Sequence, residues 1–374
     1  MMFAAMRRES LIRDLVKRIR LLVVVTGAIP GAATSQDSLM IRDAEAVCTS
    51  CRLSFQLEAT YRVPGSEAAL VSPFVFALDS EQRLYFNDPT GTVGIRVFNR
   101  GGGFMRTTGR GGQGPGEFAQ LSAITFDGLD TLHAFGNAHW VFDAAGRHVR
   151  TVSTPGYLWV RRALRLRDGT YVLVAAGESG TAAGQPFHVT NGSGSIVASF
   201  GRPSRVLARS EWTEMRALVQ STDDAFIAAS ANSYRLEEWS TSGRLKRVLR
   251  REAGWFRDWS SWDLRTSQPP PPRLLGLAYD RSGRIWTLSV VPSARWIAPK
   301  QSGGEIRRLS VADLQETYDS VIEVIDSNSG RLIASARVSQ MFVALIAPGI
   351  AVENVEDDRT GEVFVRRWNI ALTR

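Results

Sequence analysis

Residues 98–102 read FNRGG, residues 142–146 read FDAAG, residues 239–243 read WSTSG and residues 325–330 read IDSNSG. A looser copy, VTNGSG, occupies residues 189–194. Each copy runs from an apolar residue through polar ones to a glycine, and the glycines recur 44, 48, 49 and 87 residues apart, the last interval being one repeat plus an insertion. Glycine after polar residues is typical of a tight hairpin turn, because it adopts a positive φ at little cost. The sequence therefore predicts one hairpin repeated along the chain.

A second turn signal, built on aspartate, precedes each hairpin. It occurs at residues 79–82, 127–130, 168–169, 223–224 and 280–283. Short β-type runs flank these turns, at Val75–Leu78, Leu84–Phe86, Ala123–Phe126, Thr131–Phe135, Tyr171–Val174, Leu275–Tyr279 and Ile285–Leu288. Four short strands per repeat describe one blade of a β-propeller. A helical period is suggested only at Val311–Tyr318.

Five blades are visible, and the two ends of the propeller supply a sixth. Residues 344–347, 350–355 and 362–372 form three strands, and Leu53–Val63 is a strand without a partner in its own repeat. If this strand is the fourth of the last blade, the ring closes and neither sheet keeps a free edge there. The predicted fold is all-β: a six-bladed β-propeller over residues 53–374, closed by an N-terminal strand.

Residues 104–127, FMRTTGRGGQGPGEFAQLSAITFD, are similar to the inter-blade segment of NHL-type repeats, and residues 140–146 resemble the outer hairpin of that family. The chain departs from the family pattern at Ala134 and His139. The segment Tyr318–Gly330, together with Cys48-x-x-Cys51-Arg52, also resembles the exported "6-bladed beta-propeller" proteins of bacteria. This resemblance implies a fold and a compartment rather than an activity.

Residues 1–35 have the pattern of a secretory signal peptide. A basic region ends at Arg20, an apolar stretch runs from Leu21 to Ala33, and Ala33 and Ser35 precede a plausible cleavage site. The alternative is an N-terminal helix that stays on the protein. With cleavage, the mature protein is periplasmic or secreted. No other apolar run is long enough to span a membrane, which needs about 20 residues.

Residues 36–52 form a lead that contains both cysteines. In an oxidising compartment Cys48 and Cys51 are expected to form a disulfide, with a redox motif as the alternative. Two sulfur ligands do not complete a zinc site.

The basic charge is moderate and scattered. The formal charge of +8 falls to +4 when the leader, with six basic and two acidic residues, is removed. No dense basic run follows the pattern that tracks phosphates, so nucleic acid is not expected as a partner.

Few sequence motifs that indicate catalysis, cofactor binding or metal binding are present. Residues 109–114 match G-x-G-x-x-G, but Pro115 and Gly116 follow where a dinucleotide site needs a helix, so an inter-blade turn is predicted. The four histidines have no metal-ligand spacing. Asp88, Asn137 and Asn232 sit between second and third strands, where they could contribute to an axial metal site or simply cap their own turns.

In a four-stranded meander the connections alternate between two faces. The short turns fall on one face, here named the short-turn face, and the connections 107–121, 176–186, 201–215, 252–272 and 291–317 fall on the other, the long-loop face. The two longest hold an aromatic and basic group that either binds a ligand or covers blade edges. The candidate ligand-binding residues are Trp255, Trp259, Trp262, Arg295, Trp296, Asp88, Asn137 and Asn232.

The leading hypothesis is an exported, non-catalytic binding or scaffold propeller that recognises a protein, peptide or carbohydrate on the long-loop face. It predicts no cofactor and a monomer. The alternative is a metal-dependent hydrolase or lyase that resembles propeller lactonases, which would carry a divalent metal at the axis and converging acid, amide or histidine side chains.

Overall fold

A computed structural model describes residues 37–42, 48–65, 70–87, 94–118, 120–153, 158–177, 184–201, 216–260, 268–298 and 310–374. The predicted leader lies outside the described residues. The remainder of the chain forms one unit, residues 36–374. Within it the strands form six blades of antiparallel sheet.

Each blade is a four-stranded meander whose first strand is innermost. Blade 1 comprises β3 (Val75–Leu78), β4 (Leu84–Asn87), β5 (Ile95–Phe98) and β6 (Phe104–Thr108). Blade 2 comprises β9 (Leu121–Phe126), β10 (Leu132–Gly136), β11 (His139–Phe142) and β12 (His148–Val152). Blade 3 comprises β13 (Leu158–Arg165), β14 (Tyr171–Gly177), β15 (Phe187–Thr190) and β16 (Ile196–Phe200). Two short parallel strands, β7 (Arg110–Gly111) and β8 (Glu117–Phe118), lie in the link between blades 1 and 2, where the glycine-rich motif forms a turn as predicted.

Blades 4, 5 and 6 repeat the plan with additions. Blade 4 comprises β17 (Arg216–Thr222), β18 (Ala225–Ser230), β19 (Arg235–Ser240) and β20 (Leu245–Glu252), and blade 5 comprises β21 (Arg273–Tyr279), β22 (Arg284–Pro292), β23 (Tyr318–Asp326) and β24 (Leu332–Val338). Blade 6 comprises β25 (Phe342–Ala347), β26 (Ile350–Glu356), β27 (Val363–Thr373) and the N-terminal strand β2 (Arg52–Tyr61).

The hairpin turns form as the repeat predicts. The five repeat glycines all have positive φ: Gly102 98°, Gly146 81°, Gly194 85°, Gly243 88° and Gly330 67°. Gly102 also lies against the closing strand, since a Cβ at this position would be 2.4 Å from the Thr60 carbonyl oxygen. A side chain there would therefore disturb both the turn and the closure.

The innermost strands form a closed ring. Each contacts the innermost strand of the next blade, and β25 of blade 6 contacts β3 of blade 1. The core lies between blades, where each of the six seams holds an apolar cluster. The cluster between blades 2 and 3 is the smallest of these six, with Ala123, Phe135, Val160, Tyr171 and Leu173 as its buried members.

The N-terminal strand closes the ring, as predicted. β2 pairs antiparallel with β27, from Arg52 opposite Thr373 to Tyr61 opposite Val365. Tyr61 is fully buried, and its ring meets that of Phe98 in blade 1 edge to face, with centroids 5.5 Å apart. In the same seam Arg367 Nε lies 2.9 Å from Glu58 Oε2, and its other nitrogens donate to the backbone and side chain of Gln82. The closing strand thus joins the last blade to the first.

The lead before this strand contains an unpredicted strand. β1 (Asp37–Arg42) runs parallel to β20 as a fifth strand on the outer edge of blade 4. Its Ile41 is buried in the apolar cluster between blades 4 and 5. Cys48 and Cys51 form the predicted disulfide between β1 and β2.

The predicted helix is present as α1 (Val311–Thr317), inside the long excursion between β22 and β23. It begins with a capping box, in which Ser310 accepts from the Asp313 amide and the Asp313 side chain accepts from the Ser310 amide. Among the described residues no helix is long and apolar enough to cross a membrane.

Candidate functional site

Of the connections on the long-loop face, the structure describes residues 107–118, 120–121, 176–177, 184–186, 201, 252–260, 268–272, 291–298 and 310–317. Two candidate residues of this face, Asp88 and Trp262, lie outside the described residues. The other six candidates are described, and the structure gives each of them a place.

Trp255 lies in the segment that follows blade 4. Its ring centroid is 5.8 Å from that of Tyr234 and 5.8 Å from that of Phe256, which is buried in the adjoining core cluster. Trp255 itself is half-buried. It is therefore anchored to the seam between blades 4 and 5 while part of its surface faces water.

Trp259 and Asn232 hold each other. The Asn232 side-chain amide donates to the Trp259 carbonyl oxygen at 2.6 Å, and the Trp259 amide donates to the Asn232 carbonyl oxygen at 3.2 Å. The Trp259 indole N–H donates to the Pro272 carbonyl oxygen at 2.7 Å. These bonds fix the link between blades 4 and 5, and they give Asn232 a structural task.

Arg295 and Trp296 belong to the excursion of blade 5. Arg295 is half-exposed and donates to the carbonyl oxygens of Gln315 and Ser339, at 3.2 Å and 3.3 Å. The Trp296 amide donates to the Ser293 carbonyl oxygen, and its side chain is half-buried. Arg295 thus holds the excursion against α1.

Asn137 is exposed on the β10–β11 turn of blade 2. Asn137 therefore belongs to blade 2, whereas Asn232 belongs to blade 4, where it bonds to Trp259. Across the same described ranges, no group of three or more histidine, cysteine, aspartate or glutamate side chains could hold a metal ion.

Sequence reasoning missed the charge of the innermost strands. The six innermost strands carry five arginines and no acidic residue, and all five lie in three successive blades: Arg161, Arg162, Arg165, Arg216 and Arg273. We name these five residues the inner-strand arginines. The sequence shows these arginines, but the strand register was needed to place them.

Two of these arginines lie in the seam between blades 3 and 4. Arg162 is opposite Val174 on β14, and Val174 is opposite Phe187 on β15. Opposed residues share one side of a sheet, and Val174 and Phe187 pack in the cluster between blades 3 and 4. The Arg216 guanidinium, at the start of β17, lies 5.1 Å above the Phe187 ring. Both arginines therefore face the same seam. Arg216 lies at the long-loop end, where β17 begins, and Arg162 lies midway along β13.

Carboxylates are scarce in this seam. Glu237 accepts from Arg235 at 2.8 Å and from the Trp239 indole at 3.1 Å, and it lies 4.0 Å from Arg216. Arg162 donates to the Arg161 carbonyl oxygen at 3.3 Å and has no carboxylate within ion-pair distance among the described residues. Burial lowers the pKa of Arg162, and burial, partly opposed by Glu237, lowers the pKa of Arg216.

A second buried polar group lies between blades 2 and 3. His133 Nδ1 is 2.9 Å from His139 Nε2 and 3.0 Å from the Tyr171 hydroxyl, and His133 Nε2 is 3.7 Å from an Asp127 carboxylate oxygen. Burial lowers the pKa of His133 to about 4 and that of His139 to about 3. Both imidazoles are therefore neutral at pH 7, and the spacing of six residues gave no sign of their contact.

The chain matches no protein-family model, and no curated protein matches its sequence. Its structure is similar to that of a protein named as exported from Bacteroides fragilis, with a TM-score of 0.59 and 12% identity over 90% of this chain and 99% of that one. A member of the DUF4221 family from Bacteroides vulgatus is similar with a TM-score of 0.58 and 10% identity over 86% of this chain and 99% of that one.

A virginiamycin B lyase from Staphylococcus aureus has a TM-score of 0.46 and 9% identity over 85% of this chain and 99% of that one, a likeness too weak to bear on function. The two stronger likenesses cover nearly the whole of both chains, and at such identities they show the fold. The chain is a six-bladed β-propeller that shares its fold with these Bacteroides proteins.

Proposed function

We propose that this chain is an exported, non-catalytic propeller that binds a peptide, protein or carbohydrate on its long-loop face. The observation that carries the proposal is the set of anchored, half-buried tryptophans Trp255, Trp259 and Trp296 on connections that a rigid ring holds. An aromatic ring with one edge fixed and one face in water is suited to receive a ligand, because little side-chain entropy is lost on binding.

Export rests on the signal-like residues 1–35, on the disulfide, and on the likeness to a protein named as exported. A disulfide persists in oxidising compartments such as the periplasm. The mature chain is then expected to begin near Gln36 and to act outside the cytoplasm.

The test is a screen of the purified protein on arrays of defined oligosaccharides and peptides. For any probe that binds, Trp259→Ala should weaken binding at least tenfold, since a buried aromatic anchor contributes about 2 kcal/mol or more. Because Trp259 also bonds to Pro272, Trp296→Ala serves as a second variant. Arg147→Ala, on an exposed arginine of the short-turn face, is the matched control and should bind normally. Loss of binding in Arg147→Ala alone, or no binder on either array, would contradict the proposal.

The alternative, an enzyme, instead requires a divalent metal in the purified protein. Elemental analysis after exhaustive dialysis measures it directly. A stoichiometric metal would favour the hydrolase or lyase over the binding propeller.

A further inference from the structure

We propose that the seam between blades 3 and 4, where two of the inner-strand arginines lie, is an oxyanion site in which Arg162 and Arg216 hold a carboxylate, sulfate or phosphate group of the ligand. This inference rests on the proposed function for the face on which the ligand arrives. It adds the chemical class of the group that is recognised.

The seam holds more positive charge than its own residues neutralise. Arg162, Arg216 and Arg235 face it, and Glu237 is the carboxylate that the described residues contribute. Glu237 accepts from Arg235 and from the Trp239 indole, at 2.8 Å and 3.1 Å. Arg216 stays at the limit of an ion pair, 4.0 Å away. Two guanidinium groups therefore lack a close anionic partner in the described part of the chain.

These groups remain charged at any physiological pH, since arginine does not lose its proton in proteins. Only 14% of the Arg216 side-chain surface is exposed, and its Nε is buried without a hydrogen-bond partner among the described residues. Burial without a counter-charge is unfavourable. The lowered pKa of both arginines has the same cause, loss of hydration.

The chemistry of the site selects the ligand group. A guanidinium presents a planar fork of donors and no acceptor, so it matches the two oxygens of a carboxylate, sulfate or phosphate. The six innermost strands carry no acidic residue, so the charge that they contribute favours an anionic group over a cationic one.

The experiment is calorimetric titration of the purified protein with four probes: inorganic phosphate, inorganic sulfate, trigalacturonate, and maltotriose as the neutral counterpart. We expect at least one oxyanion probe to bind, and Arg162→Gln and Arg216→Gln each to weaken it at least tenfold, as loss of a charged hydrogen bond does. Arg244→Gln, an exposed arginine of the short-turn face, is the matched control and should leave affinity unchanged. If trigalacturonate binds more tightly than the free ions, the recognised group is the carboxylate of a larger ligand. If phosphate or sulfate binds more tightly, the site takes a free anion.

Thermal unfolding without any probe separates a binding role from a structural one. Arg162→Met should keep or raise the melting temperature, because it removes a half-buried charge that has no carboxylate partner among the described residues. A fall of the melting temperature in Arg162→Met together with unchanged oxyanion affinity in both glutamine variants would overturn the inference. Absence of binding by all three oxyanions would do the same. If maltotriose then bound and Trp259→Ala removed that binding, the proposed function would stand while the oxyanion site fell.

Discussion

Replacing Tyr61 tests how much the closing strand contributes to the stability of the propeller. This side chain is fully buried, and it joins blade 6 to the Phe98 ring of blade 1. Truncating a buried aromatic side chain to alanine costs about 3–5 kcal/mol. We therefore expect Tyr61→Ala to lower the free energy of unfolding by that amount.

Two further variants divide this loss. Tyr61→Phe keeps the ring and removes only the hydroxyl, which donates to the Arg100 carbonyl oxygen at 3.2 Å, so it should cost about 1 kcal/mol. Leu57→Ala changes a side chain on the same strand that is 42% exposed, and it should cost about 0.5 kcal/mol or less. Urea unfolding followed by tryptophan fluorescence gives all three values.

The relative losses of unfolding free energy in the three variants test whether β2 closes the ring. If Tyr61→Ala were no more destabilising than Leu57→Ala, the strand would not hold the ring, and the six-blade closure would be wrong. Deleting residues 48–63 is the coarser form of the same test, and it should expose the edge of β27 and cause aggregation.

Two other predictions concern export and pH. Protein recovered from a secreting host should lack about the first 35 residues in its intact mass, and recovery of the full-length chain would refute the signal peptide. The second follows from the buried histidines, whose pKa in the folded state is about 4 for His133 and about 3 for His139. The unfolded chain, with histidine pKa of about 6.5, binds protons first as the pH falls, so stability is full above pH ~6.5 and declines towards pH ~4. At pH 5 the loss should be about 2 kcal/mol per histidine, read from urea midpoints, and His139→Phe should reduce it.

The arrangement of strands within each blade could be predicted from the sequence, because it depends on local chemistry. A glycine with positive φ is required at each outer hairpin, so Gly102, Gly146 and their equivalents mark the period. Closure also followed from the sequence, since a strand without a partner and a blade short of one strand are both visible along the chain. The β1 strand could not be predicted from the sequence, because its partner β20 is more than 200 residues away and pairs with it in parallel.

The candidate site was less predictable because side-chain contacts between blades leave no local pattern. Asn232 was placed on the correct turn, yet its bond to Trp259 depends on a link 27 residues further on. The His133–His139 contact depends on the hairpin that opposes Phe135 and His139. The shared seam of Arg162 and Arg216 depends on the strand register, which fixes the side of each sheet that a residue faces.

Hydrogen exchange followed by mass spectrometry, with and without a probe that binds on the arrays, tests the central claim most directly. If the long-loop face receives the ligand, protection should appear in residues 253–260, 293–298 and 310–317 and at the starts of β13 and β17. The short turns at residues 99–103, 143–147 and 240–244 should exchange as in the free protein. Protection confined to those short turns would contradict the account.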